Sequence, residues 1–156
     1  MYLLLKTLHV LAVVLFLGNI ITGVFWKAHG DRSGDPRFMA HVMDGIIRSD
    51  RLFTVPGVVL LTILGLSAAI TGGLPIFGTG WIWQSIVLLS IAGIVFSVRL
   101  APLQRALRDV ARKGATGGPW DQAAYARLSK QWAFWGAIAL VTPLAATFLM
   151  VLKPGS

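Results

Sequence analysis

His9 is the residue of this chain whose type and setting promise chemistry. It stands inside the apolar run YLLLKTLHVLAVVLFLGNIITGVFW (Tyr2 to Trp26), one of three histidines in 156 residues. Lys6, near the start of the run, reaches headgroups by snorkelling, but an imidazole one turn deeper needs a partner at its own depth. Two uses of it follow. In the first, neutral His9 hydrogen-bonds a Ser, Thr or Gln of a neighbouring span and acts as glue between helices. In the second, it is an axial haem ligand, or hydrogen-bonds a quinone or porphyrin headgroup in a pocket between spans. For haem, the other axial position is open or filled by Met150, and Lys6 and Lys153 stand where propionates would lie. The remaining polar residues expected at that level are Ser67, Gln84, Ser85 and Thr147. A mononuclear zinc or copper site on His9 has too few ligands, because the chain has no cysteine and no glutamate. His29 and His41 belong to a connection on the far side, about 25 Å or more along the helix axis.

The elements that position these residues are legible from hydropathy. The sequence is 56% hydrophobic and 13% charged, against a soluble norm of about 45 to 50% and 25%. Three further apolar stretches approach the roughly 20 residues of a spanning helix, so spans are expected at about 2–26, 52–72, 81–101 and 132–152 of one integral domain covering 1–156. The first run is longer than the core of a secretory signal, and no Ala-x-Ala-like site follows it, so it is expected to be retained. The fold class is all-α, a four-transmembrane-helix bundle with short amphipathic helices in two cytoplasmic connections.

Charge sets the orientation. Of the 14 basic residues, 12 cluster between spans one and two (Lys27, Arg32, Arg37, Arg48, Arg51) or around the connection between spans three and four (Arg99, Arg105, Arg108, Arg112, Lys113, Arg127, Lys130). The second connection, Gly72 to Gly80, has no charge. Positive-inside bias therefore places both basic connections in the cytoplasm and both termini outside. The expected partners are the bilayer, anionic headgroups at the basic connections, and a homo-oligomer or larger membrane complex. Nucleic acid is not among them, since the basic residues flank spans and no recognition module is present. All six acids are aspartates, and the connections contain every one of them. With no carboxylate expected in a span, an autonomous proton or cation carrier is disfavoured.

Local signals refine this outline. Asp35 and Pro36 start a helix whose apolar residues include Met39, Met43, Ile46 and Ile47; it lies on the membrane surface or runs on as the base of span two. Pro56 and Pro102 each predict a bend. Small residues predict close packing: Gly57, Gly65, Ala69 and Gly73 on span two, Ser90, Gly93 and Ser97 on span three, and Gly136, Ala139, Pro143 and Ala146 on span four. On span one, His9, Val13, Phe16, Ile20 and Gly23 share an inward face with Asn19 at its margin. Trp81 and Trp83 read as interfacial anchors. Leu103, Leu107 and Val110 alternate with arginines in a basic amphipathic extension, and Asp121 caps the last helix.

The segments KTLHVLAVVLFLGNIITGVFWKAH (Lys6 to His29) and DRLFTVPGVVLLTILGLSAAITGG (Asp50 to Gly73), the Gly80-Trp81 opening and the closing VLKP resemble an uncharacterised family of bacterial predicted integral membrane proteins. The K-x-L-H opening and V-x-K-P ending are distantly similar to HemJ-type protoporphyrinogen oxidases and CopD-type copper-resistance proteins. That resemblance implies haem b at His9, a counterpart role for His29 and, if there is catalysis, a haem-linked membrane oxidoreductase. In the HemJ-like pattern, a histidine and a lysine follow Gly-Trp, whereas this chain reads Gly80-Trp81-Ile82-Trp83-Gln84-Ser85. The alternative is a cofactor-free accessory subunit.

Overall fold

The computed structural model describes residues 1–154. Its helices are α1 (Tyr2–Ser33), α2 (Pro36–Ser49), α3 (Val55–Thr71), α4 (Gly80–Val95), α5 (Ala101–Ala115) and α6 (Gln122–Leu152), with no strand among the described residues. A π-helical turn at Asp50–Thr54 joins α2 to α3, and a second at Phe96–Leu100 joins α4 to α5. The result is four long helices of 32, 36, 36 and 31 residues, each apolar enough to cross a membrane. At 1.5 Å per residue all of them exceed the roughly 30 Å hydrocarbon thickness, so each has a polar extension. The amphipathic segments α2 and α5 are therefore not separate surface helices; they continue the spans.

Both π turns have one cause. Proline lacks an N–H, and its ring crowds the carbonyl four residues earlier; a wider turn just upstream relieves that crowding. Pro56 and Pro102 each stand two residues after such a turn.

The helix ends carry matching chemistry. Asp35 accepts the Arg37 N–H at 2.8 Å with Pro36 opening α2, and Asp121 accepts the Ala124 N–H at 2.8 Å. Gly34, at φ 67°, ends α1 in the left-handed conformation that glycine adopts without a Cβ penalty.

The helices run alternately up and down, so Tyr2, Leu152 and the 72–79 connection share one end and most of the basic residues the other. At the terminal end the bundle is two pairs, α1 on α3 and α4 on α6. Gly57 admits the Phe16 side chain and Gly72 admits Tyr2, whereas Gly73 faces open space. At the basic end α2 packs along α5, burying Met39, Met43, Ile46, Leu107 and Ala111 with Tyr125 and Trp132 of α6. Outside, Val14, Ile63, Ile94 and Phe148 are all more than half exposed. An apolar belt on every helix is what lipid covers.

One small-residue expectation and one anchor expectation fail. Ser90 of α4 and Ser97 of the turn after it are exposed, and the buried face of α4 holds Ser85 and Ala92 instead. Ser85 donates to the Trp81 carbonyl at 2.7 Å and to Ala146 at 3.2 Å, so a hydroxyl turned on the neighbouring backbone holds α4 to α6. Trp81 is 8% exposed, packed with Ile82, Ala69, Leu149 and Met150, so it belongs to the core; Trp83, exposed, is where an anchor belongs.

Candidate functional site

The residues expected around His9 do not converge on it. His9 lies between α1 and α3, where Nδ1 is 2.7 Å from the Leu61 carbonyl and the ring rests on Gly65. A carbonyl only accepts, so Nδ1 carries a proton. The imidazole partner is thus backbone, not the Ser, Thr or Gln anticipated. Ser85 is committed to α6, Thr147 donates to the Pro143 carbonyl at 2.9 Å, and Gln84 is exposed. Met150 packs beside Trp81 and Ile82. Lys6 lies over the Tyr2 ring at 6.0 Å and Lys153 over Trp81 at 5.5 Å. His29, exposed, stacks on Phe25. Among the described residues no group of three His, Cys, Asp or Glu could hold a metal.

A different constellation forms deeper in the bundle, around Asp50. This residue was expected in a connection, but the π turn carries it to the level of Asn19 in α1, and it is 8% exposed. Stepping by four from Ile46 puts Asp50 and then Thr54 on the inward face. Oδ1 accepts from Thr54 Oγ1 at 2.7 Å and from Asn19 Nδ2 at 3.2 Å, while Oδ2 accepts from Gln104 Nε2 at 2.8 Å. Asn19 also donates to Thr54 Oγ1 at 2.8 Å. Thr54 and Gln104 are each 4% exposed. No cation stands within 4 Å of this carboxyl among the described residues. A carboxyl does therefore stand inside the bundle, and the argument against a carrier from missing carboxylates loses its premise.

This cluster is one wall of a cavity of about 200 Å³ between the two helix pairs. Phe16, Ile20, Val58, Ala92 and Phe96 supply apolar walls, Gly23, Gly93 and Gly136 keep it open, and Trp132 closes the basic side. The Trp132 indole N–H is buried without an acceptor. Such an orphan donor is rare in a native core. Val24 and Val55, on the rim, are 38% and 45% exposed, so the cavity reaches the lipid-facing surface.

Behind Trp132 is a second polar group. Lys27, only 3% exposed, pairs with Asp31 and donates to Ser129 Oγ at 2.8 Å, while Asp31 accepts from Tyr125 at 2.8 Å and from Ser129 at 3.0 Å. The ammonium also lies 5.1 Å from the Tyr125 ring centre and 5.6 Å from that of Trp132. This cage ties α1 to the base of α6. Burial, then the hydrogen bond to Asp31 and its charge, hold the Tyr125 phenol well above its ordinary pKa.

Hydropathy alone did not single out either cluster. The signals available were i,i+4 pairs, Lys27 with Asp31 and Asp50 with Thr54, together with amides at apolar boundaries, Asn19 and Gln104.

A family model described as "Predicted integral membrane protein (DUF2269)" matches residues 3–154. No curated protein and no solved structure matches the chain.

Proposed function

The chain belongs to this family of predicted integral membrane proteins, and on that premise we propose that it binds a small membrane-dissolved ligand between its two helix pairs. The observation carrying this reading is a cavity lined by the buried, hydrogen-bonded Asp50 cluster together with apolar side chains and glycines. At about 200 Å³ the cavity lies between the roughly 150 Å³ that hold a benzene and the roughly 300 Å³ of the smallest drug-sized sites. A tetrapyrrole is too large for it.

The setting we propose is a bacterial inner membrane, with the termini outside and the α2–α5 end in the cytoplasm. The excess of Lys and Arg at that end supports this orientation and draws it onto anionic headgroups. Binding is tested by thermal unfolding in nanodiscs with and without 2-phenylethanol. Gly93, where a Cβ meets nothing within 4 Å, is the position for a block. Stabilisation of the wild type that is lost in Gly93→Leu is the expected result; an unchanged wild-type midpoint overturns the reading.

A haem-linked role through His9 is the second reading. The Leu61 carbonyl favours it by holding the proton on Nδ1, which leaves Nε2 to ligate iron, the outer-shell arrangement usual for haem and metal histidines. His9 would hold the iron, alone or together with Met150. The cavity does not adjoin His9, and Met150 is packed against Trp81, so the fit rests on His9 alone. A Soret band lost in His9→Ala supports this role, and a colourless wild type after incubation with haem overturns it.

A further inference from the structure

Resting on the reading of the inter-pair cavity as a ligand site, we propose that its ligand is a small lipophilic amine, bound as the ammonium by Asp50. Charge balance carries the argument. The Asp50 oxygens receive three hydrogen bonds, all from neutral donors: Thr54, Asn19 and Gln104. Oδ1 takes two of them, so one lone pair of Oδ2 is open. No basic side chain among the described residues pairs with Asp50. Lys27 is held by Asp31 and Ser129, Arg112 by Asp44 at 2.7 Å, and Arg99 lies over the Trp135 ring at 5.2 Å. A buried carboxylate with neutral donors alone is hydrogen-bonded but not neutralised, and an ammonium supplies what is missing.

The size and walls select the rest of the ligand. Beyond the Asp50 cluster the lining is Phe16, Ile20, Val58 and Phe96, which suit a single ring or a short chain. A permanently charged or strongly hydrated cation does not cross the apolar rim at Val24 and Val55, whereas an amine enters neutral and takes up its proton inside. The proton comes from Asp50 if that carboxyl is protonated when empty, and from water otherwise; either way the bound pair is ammonium and carboxylate.

Phenethylamine and 2-phenylethanol, alike in shape, separate this proposal from the one beneath it. Each is titrated calorimetrically at pH 7 into the protein in nanodiscs, with empty nanodiscs subtracted. A charge-assisted hydrogen bond in place of a neutral one predicts that the amine binds about tenfold tighter or more. Asp50→Asn removes the preference and leaves the alcohol bound. Equal affinities in the wild type overturn the amine assignment and leave the cavity reading standing; no binding of either compound overturns both. The wild-type comparison decides the matter even if Asp50→Asn fails to fold.

Discussion

The imidazole of His9 lies on the bare Cα of Gly65: a Cβ built there would stand 2.8 Å from Cε1 and 2.9 Å from Nδ1. The histidine and the glycine, one on α1 and the other on α3, are one packing unit. Gly65→Ala pushes the ring off the Leu61 carbonyl and costs about 1 to 3 kcal/mol, the usual range for overpacking. In a His9→Ala background the same change costs almost nothing. Unfolding in detergent by a double-mutant cycle measures this coupling, and additive losses would contradict it.

The cage around Lys27 predicts an asymmetry. Asp31→Asn strands an ammonium that is 3% exposed and costs about 3 kcal/mol or more. Lys27→Met costs less, because the Asp31 side chain is 32% exposed and keeps Tyr125 and Ser129 as donors. Removing both recovers most of the loss. Thermal midpoints of the three variants test the order, and equal losses from the two single changes refute it.

Tyr125 gives the cage an alkaline limit. Its phenol is held protonated in the fold, so the unfolded chain releases that proton first, from about pH 10. The folded form then binds more protons, and the stability Tyr125 contributes falls as pH rises above that value. Tyr125→Phe starts lower at pH 8 and declines less steeply between pH 10 and 12. Parallel curves for the two proteins would show that the phenol plays no part.

Among the described residues, Gln104 supplies the one hydrogen bond that the Asp50 carboxyl receives from the α4–α5 helix, at 2.8 Å. Gln104→Leu leaves Oδ2 buried without a donor and is expected to cost about 2 kcal/mol, with faster amide exchange in the Asp50–Thr54 turn. Gln104→Asn, with the same group on a shorter arm, loses less if the helices settle closer. An unaltered exchange rate in Gln104→Leu counts against this role.

What could be read from the sequence was local. Four apolar runs, the Asp35-Pro36 and Asp121 starts, the glycine seam of α3 and the small-residue face of α6 all follow from spacing along a single helix. The misplaced residues are those whose surroundings depend on how far a helix continues. Asp50 was assigned to a connection because charge usually ends a span, but α2 continues into α3 and carries it inward. Lys27 was read as a topology marker on the same ground, and only the arrival of Tyr125 and Ser129 from α6 shows it enclosed. On α4, serines and a glycine at regular spacing suggested an interface, yet the helix buries Ser85 and Ala92 instead. His9 was recognised as a residue needing a partner, but a backbone carbonyl has no signature in a sequence.

The two wide turns fix the rotational phase of the middle helices. Each inserts an extra residue, so the segments on either side are offset by about 100° from where an uninterrupted α-helix would set them. That offset lets one continuous rod show Met39 and Met43 to α5 below and Gly57 and Gly65 to α1 above. Deleting a single residue from either turn would straighten the rod locally and swing one half of its contact stripe out of alignment with the other, a frameshift in three dimensions.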